Sequence, residues 1–126
     1  MITLFIEPVA WARTRVNPRT GTFITAPKMR TFQTSIKLML GKQSPLIGDL
    51  KVTFRFYMRP PKKKARERPG GRPDLSNLIK NVEDAANGIL WRDDAQIVAY
   101  GEGTGKYYDF VTLEPRIEIE IEEVTP

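Results

Sequence analysis

The sequence contains neither cysteine nor histidine. Without cysteine there can be no disulfide and no thiolate nucleophile, and without either residue there is no structural zinc site. Histidine is also the commonest general base and the commonest metal ligand, so both of those roles must fall to other groups. Any metal chemistry has to run through oxygen donors, which points to Mg²⁺ or Mn²⁺. Long apolar runs are absent as well, since none approaches the roughly 18 residues that a membrane-spanning helix needs. The first residues, MITLFIEPVA, lack the charged-then-apolar layout of a signal peptide. The expectation is a cytoplasmic protein with no membrane partner. Tryptophan is scarce, and core or interface packing is the expected use of Trp11 and Trp91, with base stacking the alternative.

What is present has an ordinary globular make-up. The chain has 126 residues, 40% of them hydrophobic and 28% charged. It is expected to form a single domain over residues 1–126 with a modest core. The net charge of +5 is unevenly spread. Between Arg59 and Arg72 the stretch RPPKKKARERPGGR holds seven basic residues (Arg59, Lys62, Lys63, Lys64, Arg66, Arg68 and Arg72) against Glu67, a net of +6. The remaining 112 residues therefore net −1. A concentrated basic stretch on a near-neutral body suggests a polyanionic partner, with a solubilising loop as the plainer alternative.

Hydrophobic spacing outlines the elements. ITLFIE at 2–7 reads as a first strand, and 12–26 as a loop or hairpin turning at Asn17-Pro18 and Thr20-Gly21. That turn displays Arg13, Arg15 and Arg19. Met29, Phe32, Ile36, Met39 and Leu40 recur at helical intervals within 28–41, closing on Gly41. Leu50, Val52, Phe54 and Phe56 alternate along a strand at 50–58, before the basic loop at 59–72. A second helix spans 75–87 and stops at Asn87-Gly88. Two more strands are expected near 96–101 and 116–124, the last alternating Ile117, Ile119 and Ile121 with Glu118, Glu120 and Glu122. This order predicts an α+β fold: a small mixed sheet of about four strands with two main helices packed on it. GEGTGK at 101–106 resembles a phosphate-cradling loop only superficially. A strand-like run follows it rather than a helix, so a hairpin turn is the expectation.

The helix at 75–87 carries the chemistry. At about 100° per residue, Leu75, Leu78, Ile79, Val82 and Ala86 form one apolar stripe. Ser76, Lys80 and Glu83 lie along one flank of that stripe, and Asp84 points directly away from the core. Asp74 precedes the helix and can act as its N-cap. On the bland reading Asp74 caps, Lys80 pairs with Glu83 or Asp84, and Asp93-Asp94 form a polar turn. Against it, lysine before acid is the poorer order for a helical ion pair. The basic loop also runs straight into Asp74, and acids beside bound phosphate repel it unless a divalent cation lies between.

Residues 72–98, RPDLSNLIKNVEDAANGILWRDDAQIV, resemble the core motif of the RusA family of Holliday junction resolvases. That pattern is an Asp-x-Asp-Asn, a Lys four residues after the second Asp, an Asp-Ala pair, then Asp-Asp-x-Gln-Ile/Val. The initial strand, the arginine-rich turn and the terminal Ile/Glu alternation extend the likeness over most of the chain. The resemblance implies a RusA-like endonuclease domain that cleaves four-way DNA junctions in the presence of Mg²⁺, and a phage or prophage setting. It implies that Asp74 and Asp94 are metal ligands and that Lys80 is a catalytic or phosphate-contacting cation. Asn77, Asp84, Asp93 and Gln96 would be supporting residues.

Ser76 departs from the pattern, since the family usually has its second essential aspartate there. Helix geometry offers Glu83 as the replacement, with Asp84, which the stripe aims at solvent, as the rival. Glu83 lies seven residues on, faces nearly the same way and sits about 10 Å further along the axis. Helical side chains lean toward the N-terminus, so a glutamate reaching back could enter the space left by serine. On this reading Asp74, Lys80, Glu83 and Asp94 are catalytic, and Asp74, Glu83 and Asp94 hold one or two metal ions. Arg13, Arg15, Arg19 and the basic residues of 59–72 would contact DNA. A four-way junction needs two symmetric cuts, and one motif supplies one cut, so a C₂ homodimer is expected. The alternatives are a non-catalytic binder of branched DNA that lost its metal site at Ser76, and a basic RNA-associated module.

Overall fold

The computed structural model describes residues 1–13, 15–24, 26–62 and 69–125. Lys63, Lys64, Arg66 and Arg68 of the basic segment therefore lie outside the described residues. Seven strands and two helices follow in the order β1 (Ile2–Leu4), β2 (Arg15–Val16), β3 (Phe23–Ile24), α1 (Pro27–Leu40), β4 (Leu50–Tyr57), α2 (Leu75–Ala86), β5 (Ile97–Tyr100), β6 (Gly105–Tyr107) and β7 (Arg116–Glu123). A short 3-10 turn, Asp94–Gln96, precedes β5. The α+β expectation is borne out, with a mixed sheet of five strands in place of about four.

β4 is the middle of that sheet. Its alternation buries Leu50, Val52, Phe54 and Phe56 completely on one face. β7 pairs antiparallel with β4 from Leu50↔Glu123 to Tyr57↔Arg116, which turns Ile117 and Ile119 into the same core. β1 adds antiparallel to the far side of β7. On the other edge of β4, β5 and then β6 pair parallel with successive parts of the strand. The opposite face of the sheet is polar, where Arg55 reaches Glu120 at 3.2 Å and Glu118 at 3.9 Å.

The two helices pack against each other and against the apolar face of the sheet. α1 contributes Met29, Phe32, Ile36 and Leu40, and ends at Gly41 with φ 68°, a conformation suited to glycine. α2 contributes the expected stripe through Leu78, Ile79, Val82 and Ala86, plus Ala85. Trp91, fully buried, meets Phe54 edge-on at 6.4 Å, so its expected role in packing holds. Asn81 is the buried polar residue of this core. Its amide donates to the Val9 carbonyl at 2.8 Å, and its oxygen accepts from Gln33 of α1 at 2.8 Å. One side chain thus ties α1, α2 and the segment after β1 together.

Two expectations need correction. β1 stops at Leu4 rather than residue 7, because the Ile6 N–H turns back to the Leu4 carbonyl and Phe5 is exposed. GEGTGK is not a hairpin turn: β5 and β6 run in the same direction along β4, so the stretch is a break within one edge. Gly101 is required in that break, because a Cβ there would collide with the Thr53 side chain. β6 itself is an element too short to read from its pattern. The hairpin expected within 12–26 does form, from β2 and β3, with Arg15 opposite Ile24. Among the described residues no helix is long and apolar enough to cross a membrane.

Replacing Asn81 with alanine leaves the Val9 carbonyl and the Gln33 amide facing an apolar core. An unmet buried polar group costs on the order of 1–3 kcal/mol, so Asn81→Ala is expected to lower unfolding stability by about 2–3 kcal/mol in a denaturant titration. A loss below about 0.5 kcal/mol would show that water replaces the missing amide.

Candidate active site

α2 is the frame of the site. Asp74 is its N-cap by position, but its carboxylate makes no capping hydrogen bond to the helix. The bland explanation for an acid at this point is therefore unmet, and the side chain is exposed. It lies on a cleft of about 580 Å³ whose walls include Arg72, Pro73, Asn77, Lys28 and Met58. Lys106 of β6 fixes this corner by donating to the carbonyls of Gly71 at 2.6 Å and Pro73 at 2.9 Å. Ser76, the second residue of the helix, is exposed.

Lys80 occupies the middle of the helix. Its ammonium sits 5.0 Å from the centre of the Trp11 ring, a cation–π contact. It also lies 3.9 Å from the Asp84 carboxylate. Trp11 is itself held to α2, its N–H donating to the Asn77 carbonyl at 2.9 Å. Stacking Trp11 under a lysine is a use that sequence reasoning did not foresee.

At the C-terminal end the acids gather. Glu83 accepts a 2.7 Å hydrogen bond from the Tyr100 hydroxyl of β5. Burial pushes its carboxyl above the ordinary range, and the charges of Asp94 and Asp84 push it the same way, against the Tyr100 bond and Lys80. Asp84 is raised too, by burial first and then by Asp94, with Lys80 opposing. The expectation that Asp84 points cleanly into solvent is not met. It is partly buried, paired with Lys80 one turn back and within the field of Asp94. The Tyr100 hydroxyl is raised above its usual value, by burial and by Glu83 and Asp94.

Asp94 is positioned by its neighbours. The buried Trp91 indole donates to the Asn87 amide oxygen at 2.8 Å, and the Asn87 amide nitrogen lies 3.3 Å from the Asp94 carboxylate. Asp93 caps the 3-10 turn by accepting from the Ala95 N–H at 2.9 Å. Gln96 accepts from the N–H groups of Arg92 and Asp93 and donates to the carbonyls of Leu46 and Gly48. Asp93 and Gln96, expected as supporting residues, are therefore the clamp of the turn that carries Asp94.

The structure thus brings Glu83, Asp84 and Asp94 into one electrostatic neighbourhood and leaves Asp74 at the other end of the helix. Nine residues of helix separate Asp74 from Glu83, about 13 Å along the axis. Among the described residues no three acids stand close enough to form a ready-made metal site. Arg13, Arg19, Lys62 and Arg72 are exposed, and Arg15 belongs to β2. Tyr100 and Asn87 are the site residues that sequence reasoning missed. Asn87 was legible only as a helix stop, and nothing in the local pattern of β5 marks Tyr100 as a partner of α2.

The raised carboxyl of Glu83 has a consequence for stability. Its folded-state pKa lies above the unfolded value, so at neutral pH the ionised group opposes folding. That opposition fades as pH falls through the raised pKa toward the ordinary carboxylate range. In metal-free protein at pH 7, Glu83→Gln is expected to raise Tm, on the order of a few degrees. The gap between variant and wild type should close on acidification. A less stable variant at pH 7 would mean that attraction to Tyr100 and Lys80 outweighs the repulsion.

Comparison with known proteins shows the family. A 31% identical relative, "Uncharacterized protein YqaN" of Bacillus subtilis (strain 168), aligns over 98% of this chain and 95% of its own length. The family described as endodeoxyribonuclease RusA matches residues 6–122, which take in both helices and every strand after β1, β7 to its last residue but one. On that match, the chain belongs to the endodeoxyribonuclease RusA family.

Proposed function

We propose that the protein is a Mg²⁺-dependent, structure-specific endodeoxyribonuclease, a single RusA-like domain that resolves four-way DNA junctions by paired symmetric cuts in the cytoplasm. Membership of an endodeoxyribonuclease family supports the reaction class. The observation that carries the reading is the placing of the Glu83 and Asp84 carboxyls within the field of Asp94, which together with burial pushes both above their ordinary range, with Lys80 alongside. Such a placing is costly unless a cation joins it.

The donors suit Mg²⁺ chemically, being hard oxygens with no nitrogen or sulfur competitor. This ion commonly takes one or two carboxylates, keeps several waters and completes its shell with substrate phosphate, so no closed protein cage is required. Glu83 and Asp94 would hold it; Asp74, which the family resemblance implies as a ligand, stands about 13 Å away along the helix axis and would have to serve a second ion. When bound, the ion lowers the pKa of a water and offsets charge on the phosphate.

The chain's own residues do the rest. Tyr100 fixes the rotamer of Glu83, while Asn87 and the capped turn fix Asp94. Lys80, resting on Trp11, would donate to a non-bridging phosphate oxygen and neutralise charge that grows as the phosphodiester is attacked. Glu83, held by Tyr100, would supply the carboxylate that Ser76 lacks. The basic segment would track the flanking phosphates, giving binding that weakens steeply with salt.

One observation favours a second reading, a branched-DNA-binding protein without cleavage. With serine at position 76 and Asp74 a helix length from Glu83, the described residues hold no three-acid group. A synthetic four-way junction separates the two readings. Paired nicks in Mg²⁺, none in EDTA and none on linear duplex are expected. Glu83→Gln, Asp94→Asn and Lys80→Ala should each slow cleavage by about a hundredfold or more while junction affinity changes little. Tight binding without cleavage in Mg²⁺ or Mn²⁺ would favour the second reading.

Paired cutting also calls for two copies of the chain. Small-angle scattering at working concentration is expected to return twice the 14.4 kDa chain mass. A monomeric mass would remove the homodimer from the proposal.

A further inference from the structure

Two segments leave the sheet at the same end. Tyr57, the last residue of β4, pairs with Tyr107, the last of β6, and with Arg116, the first of β7. The Met58 N–H continues this contact to the Tyr107 carbonyl at 2.8 Å. The basic segment starting at Arg59 and the loop 108–115 therefore begin side by side. Lys106 fastens the return of the basic segment to the same strand through Gly71 and Pro73.

The loop 108–115 has an exposed apolar tip. Phe110 is 54% exposed, Val111 92% and Leu113 55%. It is also rigidly built. The Asp109 carboxylate accepts from the N–H groups of Val111 and Thr112, accepts from the Thr112 hydroxyl, and pairs with Arg116 at 3.0 Å. The Leu113 N–H closes the turn on the Asp109 carbonyl at 2.9 Å. Arg116 in turn lies 3.8 Å over the Tyr57 ring, and Tyr57 stacks on Tyr107. Leu113 holds φ at 57°, a left-handed conformation that a leucine rarely adopts. Strain, a hydrogen-bonded turn and a bolted base together hold three large apolar side chains in water, where burial stabilises none of them fully.

We infer that this tip is a wedge for DNA, laying Phe110 and Val111 against base faces exposed at the branch point of a junction. Apolar side chains inserted at base steps, and aromatic rings stacked on unpaired bases, are general devices of DNA-binding proteins. The interior of a linear duplex offers no such open face, whereas a branch point does. Charge argues for DNA over a second copy of the chain. Of the basic segment, Arg59, Lys62 and Arg72 are described and exposed at its two ends, so joining two copies at this end would bring like charges together, while a polyanion meets both cations and tip.

The inference rests on the junction reading above, and its test separates the two. The full chain is titrated in EDTA against a four-way junction with 2-aminopurine at the branch point, and against linear duplex. Wild type should prefer the junction and change the 2-aminopurine fluorescence. The variant Phe110→Ser/Val111→Ser should bind the junction about tenfold more weakly, with duplex affinity within about twofold, and lose the fluorescence change. Val111→Ser/Leu113→Asn, which keeps the Tyr108–Phe110 ring contact and places a residue tolerant of the left-handed turn, should show a smaller loss in the same direction. Wild-type affinity and fluorescence in both variants would overturn the wedge and leave the junction reading intact. A variant that becomes monomeric in light scattering would also overturn it, making the tip a contact between copies. No junction preference by the wild type would sink both.

Discussion

The structure depends on β4 being paired on both edges. A strand that takes an antiparallel partner on one side and parallel partners on the other has its hydrogen bonds met throughout. Its alternation can then send every second side chain into one core. Leu50, Val52, Phe54 and Phe56 are fully buried for that reason, and the helices have a flat apolar surface to cover. A slip of one residue would expose all four. The two ends of β4 also define the two ends of the site. Its first residues pair with β5, which brings Tyr100 to Glu83, and its last residues pair with β6 and β7, where Lys106 secures the approach to Asp74.

On this frame the acids stand where folding alone would not put them. Glu83 and Asp84 are partly buried, and each is pushed toward its neutral form by its surroundings and by Asp94. The fold supplies hydrogen bonds from Tyr100 and Asn87 and a single-turn contact from Lys80, enough to orient the carboxylates and too little to neutralise them. A capping arrangement of Asp93 and Gln96 then fixes the backbone beneath Asp94 with five hydrogen bonds. Such effort at an exposed turn is explained by the position of one carboxylate rather than by stability.

Much of the frame was legible because it is periodic. The alternation of β4 and β7 and the stripe of α2 gave strands and helix with boundaries within a residue or two, and Asn87-Gly88 ended α2 where expected, with Gly88 at φ 82°. The residues that escaped are those whose role is set by distant contacts. Asn81 falls just beyond the apolar stripe and looks like an ordinary polar flank, yet it is buried by Val9 and Gln33, which are 72 and 48 residues away in sequence. Tyr100 looked like part of a strand, and its meaning comes from Glu83, 17 residues earlier. β6 carries too few residues to show a period, and Gly101 kept its purpose hidden until Thr53 was seen against it. At the site, spacing singled out Glu83 on the flank of Ser76, while the crowding of Asp84 by Asp94 required the fold.

The length of α2 also answers the question of how acids and phosphates share one face. Its 12 residues span about 18 Å. The basic segment feeds into its N-terminal end, and the carboxylates collect at its C-terminal end. Each DNA strand carries one phosphate about every 3.4 Å along the duplex axis, so a backbone laid along α2 would pass several phosphates between the two ends. Those near the start of the helix would meet Arg72 and Lys28 beside Asp74, and Lys80 stands between the two ends. On the proposed function, a phosphate beside Glu83 and Asp94 would be the one whose charge arginine and lysine do not meet, and a divalent ion held there would lower the energy of both partners. The gathering of carboxylates at one end of a single helix would thus single out one phosphate along a uniformly charged backbone.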